Sequence, residues 1–153
     1  MQPSFFKSTR KVWSSIWNVG WTRVFFRIDN GKCQKFDLDL PGIIELKQKL
    51  INETYRYHMI GQSGLDYDWM DQVEELERPE IFLIEGVLMY LPEADVKDLI
   101  LAMQSRFPES ELVCELTNQT WVEGVYGKMS SMKMKHPFDM AQDAGFQFGV
   151  DSP

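Results

Sequence analysis

From Gln34 onward, short apolar runs alternate with stretches of helical spacing. The run Gln34-Lys35-Phe36-Asp37-Leu38-Asp39-Leu40 places an apolar residue at every second position, the period-2 signature of a strand. Pro41 follows where the first turn of a helix accepts proline. Over residues 42–51, Ile43, Leu46 and Leu50 share one helical face, with Glu45 and Lys49 spaced for an i,i+4 pair. A second strand is predicted over residues 55–60, ending in the turn-rich Gly61-Gln62-Ser63-Gly64. After a charged, helix-like stretch, the continuous apolar run Ile81-Phe82-Leu83-Ile84 reads as a strand covered on both faces.

Pro92 opens another helix, with Glu93 and Asp95 in the first turn, where the positive end of the helix dipole favours acids. Its buried stripe is Val96, Leu99, Ile100 and Met103, and Pro108 stops it. Residues 111–116 predict a fourth strand and residues 145–150 a fifth. Strands alternating with three-turn helices imply right-handed βαβ crossovers, a mostly parallel sheet and helices on both faces. A ligand in such an α/β fold sits outside the carboxyl ends of the strands. No internal repeat or low-complexity linker interrupts the chain.

Composition narrows the choice of partner. The 153 residues include 16 basic and 23 acidic ones, a net charge of -7, and no apolar run is long enough to span a membrane. A nucleic-acid groove requires clustered positive charge, so nucleic acid is not expected as a partner. Residues 1–28 depart from this balance: Lys7, Arg10, Lys11, Arg23 and Arg27 stand there without a single acid. The other 125 residues hold 11 basic and 23 acidic side chains, a net charge of -12. Trp13, Trp17 and Trp21 recur every four residues in this basic segment, as in an amphipathic surface helix or a transit-like peptide. Accidental periodicity is the plainer reading, so membrane association is not expected. Cys33 and Cys114 form no disulfide or metal framework, which favours a reducing, cytoplasmic setting.

Two acids occupy positions where such a fold keeps a ligand. Asp39 ends the first strand and could accept both hydroxyls of a ribose; Asp37 shares its strand parity, and Asp39 could equally cap the next helix. Glu85 interrupts an apolar run from Ile81 to Leu91; a carboxylate buried there would need a cation, donors or a wet crevice, and the alternative is an exposed acid where the strand meets solvent. Gly86 beside it permits close backbone approach. Ser63 and Gly64 lie in the loop after the second strand, where they could read an adenine edge or form an ordinary turn. Tyr90 could line a substrate pocket or belong to the core. His58 and His136 lack metal-ligand spacing, so no metal is expected, and Met129, Met132, Met134 and Met140 suit adaptable core or interface packing.

Phe36-Asp37-Leu38-Asp39-Leu40-Pro41 followed by Ile43-Ile44-Glu45-Leu46-Lys47, and then Glu85-Gly86-Val87-Leu88-Met89-Tyr90-Leu91-Pro92, resembles the paired hallmarks of the leucine carboxyl methyltransferase family, in particular its branch of polyketide O-methyltransferases. Phe25-Phe26-Arg27-Ile28-Asp29-Asn30-Gly31, Arg106-Phe107-Pro108 and Phe148-Gly149-Val150-Asp151 extend the likeness from about Ser15 to the end of the chain. The resemblance implies a class I methyltransferase with a Rossmann-like sheet, which uses S-adenosylmethionine to methylate a hydroxyl or carboxylate of a small-molecule acceptor. By motif position, Asp39 would hold the cofactor ribose, Ser63 and Gly64 would flank the adenine and Glu85 would sit beside the cofactor.

Gly20 and the Thr22-Arg23 pair match the family's first motif, giving Gly20 and Arg23 as cofactor-binding candidates, whereas that motif's second glycine and its aspartate are absent. The family's outer helices and last strands have no counterpart in the chain. The expectation is therefore a basic segment over residues 1–14 and a partial, incomplete methyltransferase domain over 15–153. The alternative is a catalytically inactive remnant without a complete cofactor site.

Overall fold

A computed structural model describes residues 34–74, 80–123 and 146–151. Gly20, Arg23, the tryptophan-bearing basic segment, Cys33, His136 and the four methionines between 129 and 140 lie outside them, as does the boundary at residue 14.

Two parallel strand pairs organise the chain. Strand β1 (Lys35–Asp39) leads through helix α1 (Pro41–Gln48) to β2 (Tyr57–Gly61), and β1 pairs with β2 in parallel, Lys35 opposite Tyr57 and Asp39 opposite Gly61. Helix α2 (Trp69–Glu74) precedes β3 (Ile81–Ile84); a short 3-10 turn (Leu88–Tyr90) and helix α3 (Glu93–Arg106) then lead to β4 (Glu111–Cys114). β3 and β4 also pair in parallel, from Ile81 opposite Glu111 to Ile84 opposite Cys114. Helix α4 (Gln119–Glu123) follows. Parallel neighbours need a crossover, and in both pairs the crossover is helical. This is a mixed α/β chain with small parallel sheets.

The prolines start helices as their fixed φ requires. Pro41 stands in the first turn of α1, and Pro92 is the residue before the first turn of α3. Val96, Leu99 and Met103 of α3 are buried as the spacing predicts, and Ile100 packs against them. They join Phe36 and Leu38 of β1, Ile60 of β2, Phe82 and Ile84 of β3, and Trp69, Met70 and Val73 of α2 in one apolar cluster. Each fully buried aliphatic side chain there contributes about 1.5–3 kcal/mol relative to exposure. Trp69, Phe82 and Phe107 form an aromatic group within it, with ring centroids 5.1–6.5 Å apart. Arg106 of α3 pairs with Asp71 of α2 at the surface.

Two sequence expectations are corrected here. In α1 the buried residues are Ile44 and Lys47, whereas Ile43, Leu46 and Leu50 are exposed. The helix is turned so that Lys47 reaches the acids of β1, and that attraction overrides the apolar stripe. Nor do residues 146–150 form a fifth strand: they make a single parallel bridge, Asn118 with Val150, and hydrogen bonds from the Gln147 and Phe148 amides to the Met89 carbonyl. Gly149 is needed in that segment, since a Cβ there would lie 2.8 Å from Val122 Cγ2 and 2.9 Å from Gln119 Cα.

Candidate functional site

All five residues of β1 are buried, so its alternation of polar and apolar residues does not separate a wet face from a dry one. Lys35, Asp37 and Asp39 share the polar face, and the chain covers it with its own charges. Lys47 Nζ of α1 lies 3.1 Å from Asp39 Oδ2 and 3.4 Å from Asp37 Oδ2. The Tyr57 hydroxyl of β2 donates to Asp37 Oδ2 at 2.8 Å, and Lys35 Nζ stands 3.8 Å from Asp37 Oδ1 and above the Tyr57 ring. Two ammonium groups thus face two carboxylates, which is how charges survive away from water.

The cost of that burial falls on the protonation equilibria of the network. Burial pushes the Asp39 carboxyl above its usual range against the pull of Lys47, and pushes the Lys35 ammonium below its usual value against the pull of Asp37. Tyr57 is held protonated well past the ordinary phenol range, first by burial and then by the Asp37 charge.

Asp39 stands at the carboxyl end of β1 as expected, but its carboxylate is largely committed. Oδ2 accepts from Lys47 and Oδ1 from the Leu40 amide at 2.9 Å, and the residue is 3% exposed. The Leu40 bond satisfies the linker, so Asp39 does not cap α1 through a helical N–H. Each oxygen retains a second lone pair for a diol; reaching it requires the cover over Asp39 to give way.

Ser63 and Gly64 lie just beyond the carboxyl end of β2, in a loop closed on itself. Ser63 Oγ accepts from the Leu65 amide at 3.2 Å, and the buried Trp69 indole donates to the Gly64 carbonyl at 3.1 Å. The loop hangs on the apolar core through Trp69. This anchor was missed in the sequence, although Trp69, Met70 and Val73 at i, i+1 and i+4 form a helical apolar face within the charged stretch.

Of the two readings of Glu85, buried with a partner or exposed at the strand end, the structure shows the exposed one. Its neighbours in sequence are apolar, yet the side chain is exposed, because β3 ends at Ile84 and the chain turns away at Gly86 with φ of +67°. Glu85 therefore needs no buried partner. It sits at the rim just past β3. A Cβ on Gly86 would meet nothing within 4 Å, so that side of the turn is open. Tyr90 is half-buried against Phe146, with ring centroids 5.6 Å apart, and its carbonyl accepts from Gln147 Nε2 at 3.0 Å. Burial, and after it the Glu115 carboxylate, raise its phenol above the ordinary value.

Each candidate ligand group therefore stands at a strand carboxyl end: Asp39 at the end of β1, Ser63 and Gly64 past β2, and Glu85 past β3. The sequence profile described as leucine carboxyl methyltransferase matches residues 21–104, more than half of the chain and the stretch that carries all of these. The chain belongs to the leucine carboxyl methyltransferase family. Its matched segment excludes Gly20, includes Arg23 and Tyr90, and ends before β4. Over 84 residues, 54% of the chain, it is 38% identical to the tetracenomycin polyketide synthesis O-methyltransferase TcmP of Streptomyces glaucescens. That alignment spans 31% of the relative's length. Among the described residues, no helix of this family member is long and apolar enough to cross a membrane, and no group of three or more His, Cys, Asp or Glu is placed to hold a metal ion.

Proposed function

We propose that the chain is the cofactor-binding portion of an S-adenosylmethionine-dependent O-methyltransferase that acts on a hydroxyl or carboxylate of a small, polyketide-like acceptor. The two parallel pairs would belong to one Rossmann-like sheet. The observation that carries this reading is the family match over residues 21–104, a segment in which Asp39 ends β1 and Glu85 follows β3. The fit to the cofactor is uneven: the open side of Gly86 suits close approach, whereas Asp39 is covered.

In this reading Asp39 holds the ribose hydroxyls, Ser63 and Gly64 border the adenine, Glu85 faces the rest of the cofactor beside the open Gly86 backbone, and Tyr90 borders the acceptor. Gly20 and Arg23 contribute from the first motif. When bound, the cofactor supplies a sulfonium-activated methyl group, and the protein's share is mainly positioning. The protonated Tyr90 hydroxyl can donate a hydrogen bond to an acceptor oxygen. The setting proposed is the cytoplasm, with no nucleic-acid or membrane partner.

Calorimetric titration of the full chain with S-adenosylmethionine tests this reading. Saturable binding is expected, weakened about tenfold in Glu85→Gln, the size of one lost charge-assisted contact. Because Glu85 is exposed, its urea midpoint should not move. Absence of heat at millimolar cofactor overturns the reading. The alternative, a methyltransferase-like remnant without a working cofactor site, is favoured by one observation: the burial of Asp39 beneath its contacts with Lys47 and Leu40.

A further inference from the structure

Glu115 stands one residue past β4, as Glu85 stands one residue past β3. The register of the pair ends with Ile84 opposite Cys114, and the Glu115 amide donates to the Ile84 carbonyl at 3.0 Å, so the two acids are neighbours at one rim. Like charges at facing positions of adjacent strands repel and destabilise the pairing. Here one of the two is tied down: Glu115 Oε2 accepts from the Gly86 amide at 3.2 Å. That amide belongs to the residue whose positive φ turns the chain away from the sheet directly after Glu85. A carboxylate acceptor makes this bond stronger than a neutral one would. The Glu115 charge also helps keep the Tyr90 hydroxyl protonated. One side chain thus touches the Gly86 turn and acts electrostatically on Tyr90, without facing the sheet core.

We infer that Glu115 is a positioning residue of the cofactor site: by holding the Gly86 N–H it fixes the turn that presents Glu85 and keeps the Gly86 backbone open to the ligand. The assignment rests on the functional reading above and adds to it a residue beyond the matched segment. Glu115 acts through Gly86 and need not contact the cofactor itself. Its required property is a side-chain acceptor at that reach, so glutamine should serve and alanine should not.

The test compares Glu115→Ala, Glu115→Gln and the unsubstituted full chain by calorimetry with S-adenosylmethionine, by amide hydrogen exchange at Gly86 and by urea denaturation. Glu115→Ala should bind about tenfold more weakly, because a turn no longer held by this bond adopts the binding geometry only about a tenth of the time. Its Gly86 amide should exchange faster while the urea midpoint stays in place. Glu115→Gln should restore both affinity and protection. Equal binding by Glu115→Ala and the unsubstituted chain overturns the assignment and leaves the functional reading standing. The same holds if glutamine fails to restore affinity while protecting Gly86, because charge and not the turn would then be at work. If the unsubstituted chain binds no cofactor, the functional reading fails and the role assigned to Glu115 fails with it.

Discussion

In the β1–β2 pair every residue of β1 is buried, and Lys35, Asp37 and Asp39 are ionisable; in the β3–β4 pair, β3 is wholly apolar and β4 is exposed on both faces, with Leu112 at 39% and Val113 at 52%. Polarity and burial are therefore uncoupled in opposite senses in the two halves. Charges go inside where a second element brings the opposite charge, and apolar side chains stay outside where no described element covers them. The first arrangement depends on specific partners and should fail abruptly when one is removed. The second has little to lose.

The largest effect is expected at Lys47. Lys47→Met leaves Asp37 and Asp39 facing each other with one ammonium gone, and breaking a buried pair in this way costs about 3–5 kcal/mol. The urea midpoint at neutral pH reads the loss. Asp39 already has a raised pKa, so its ionisation opposes folding, and this cost sets in as pH rises from its ordinary 3.8 through the raised value. Without Lys47 that window extends further upward, and acidification should return part of the lost stability. A loss below about 1 kcal/mol, the range of exposed pairs, would mean that water reaches the network and that the contrast between the halves is overstated.

A smaller effect is expected at Tyr57. Tyr57→Phe removes a 2.8 Å donor from Asp37 and costs about 1.5–3 kcal/mol, as for hydrogen bonds to charged groups. Its pH dependence has the same sign as that of Asp39 but lies in a much more alkaline window. The folded phenol titrates above its ordinary value of 10, so the stability it contributes is complete below pH 10 and is lost as pH rises from there towards the folded value. Tyr57→Phe should therefore flatten the alkaline limb of a stability–pH curve while lowering its neutral plateau. An unchanged alkaline limb would place the phenol in water.

What could be read in the sequence divides along the same line. The prolines at 41 and 92, the apolar run of β3 and the Val96, Leu99, Met103 stripe were legible because each follows from one local rule. The face of α1 was not, because its orientation is set by a lysine seeking two carboxylates on another element, and periodicity rules count lysine as a surface residue. Glu85 misled for the converse reason: its neighbours in sequence are apolar, but β3 stops one residue earlier and Gly86 carries the chain away. Asp39, Ser63 and Gly64 stand at strand ends as the pattern predicts, whereas the side chains that engage Asp39 and Gly64, Lys47 and Trp69, reach them from the following helices, which periodicity alone does not orient. Glu115 becomes visible only once the register of β3 against β4 is known.

The smallest effect is expected on β4, where the same substitution can be made in two settings. Val113→Thr keeps shape and β-branching at a half-exposed position, so its effect should lie within about 0.5 kcal/mol. Val73→Thr introduces the same hydroxyl at a fully buried position of α2, where an unpaired polar group costs about 1–3 kcal/mol. The difference between the two measures how open β4 is in solution, since the chemical change is identical. If Val113→Thr costs as much as Val73→Thr, then β4 is covered in solution, and a mass measurement across a concentration series distinguishes a second copy of the chain from cover within one molecule. If the two differ as expected, the β3–β4 half tolerates polarity on its outer strand and the β1–β2 half carries the greater dependence on exact partners.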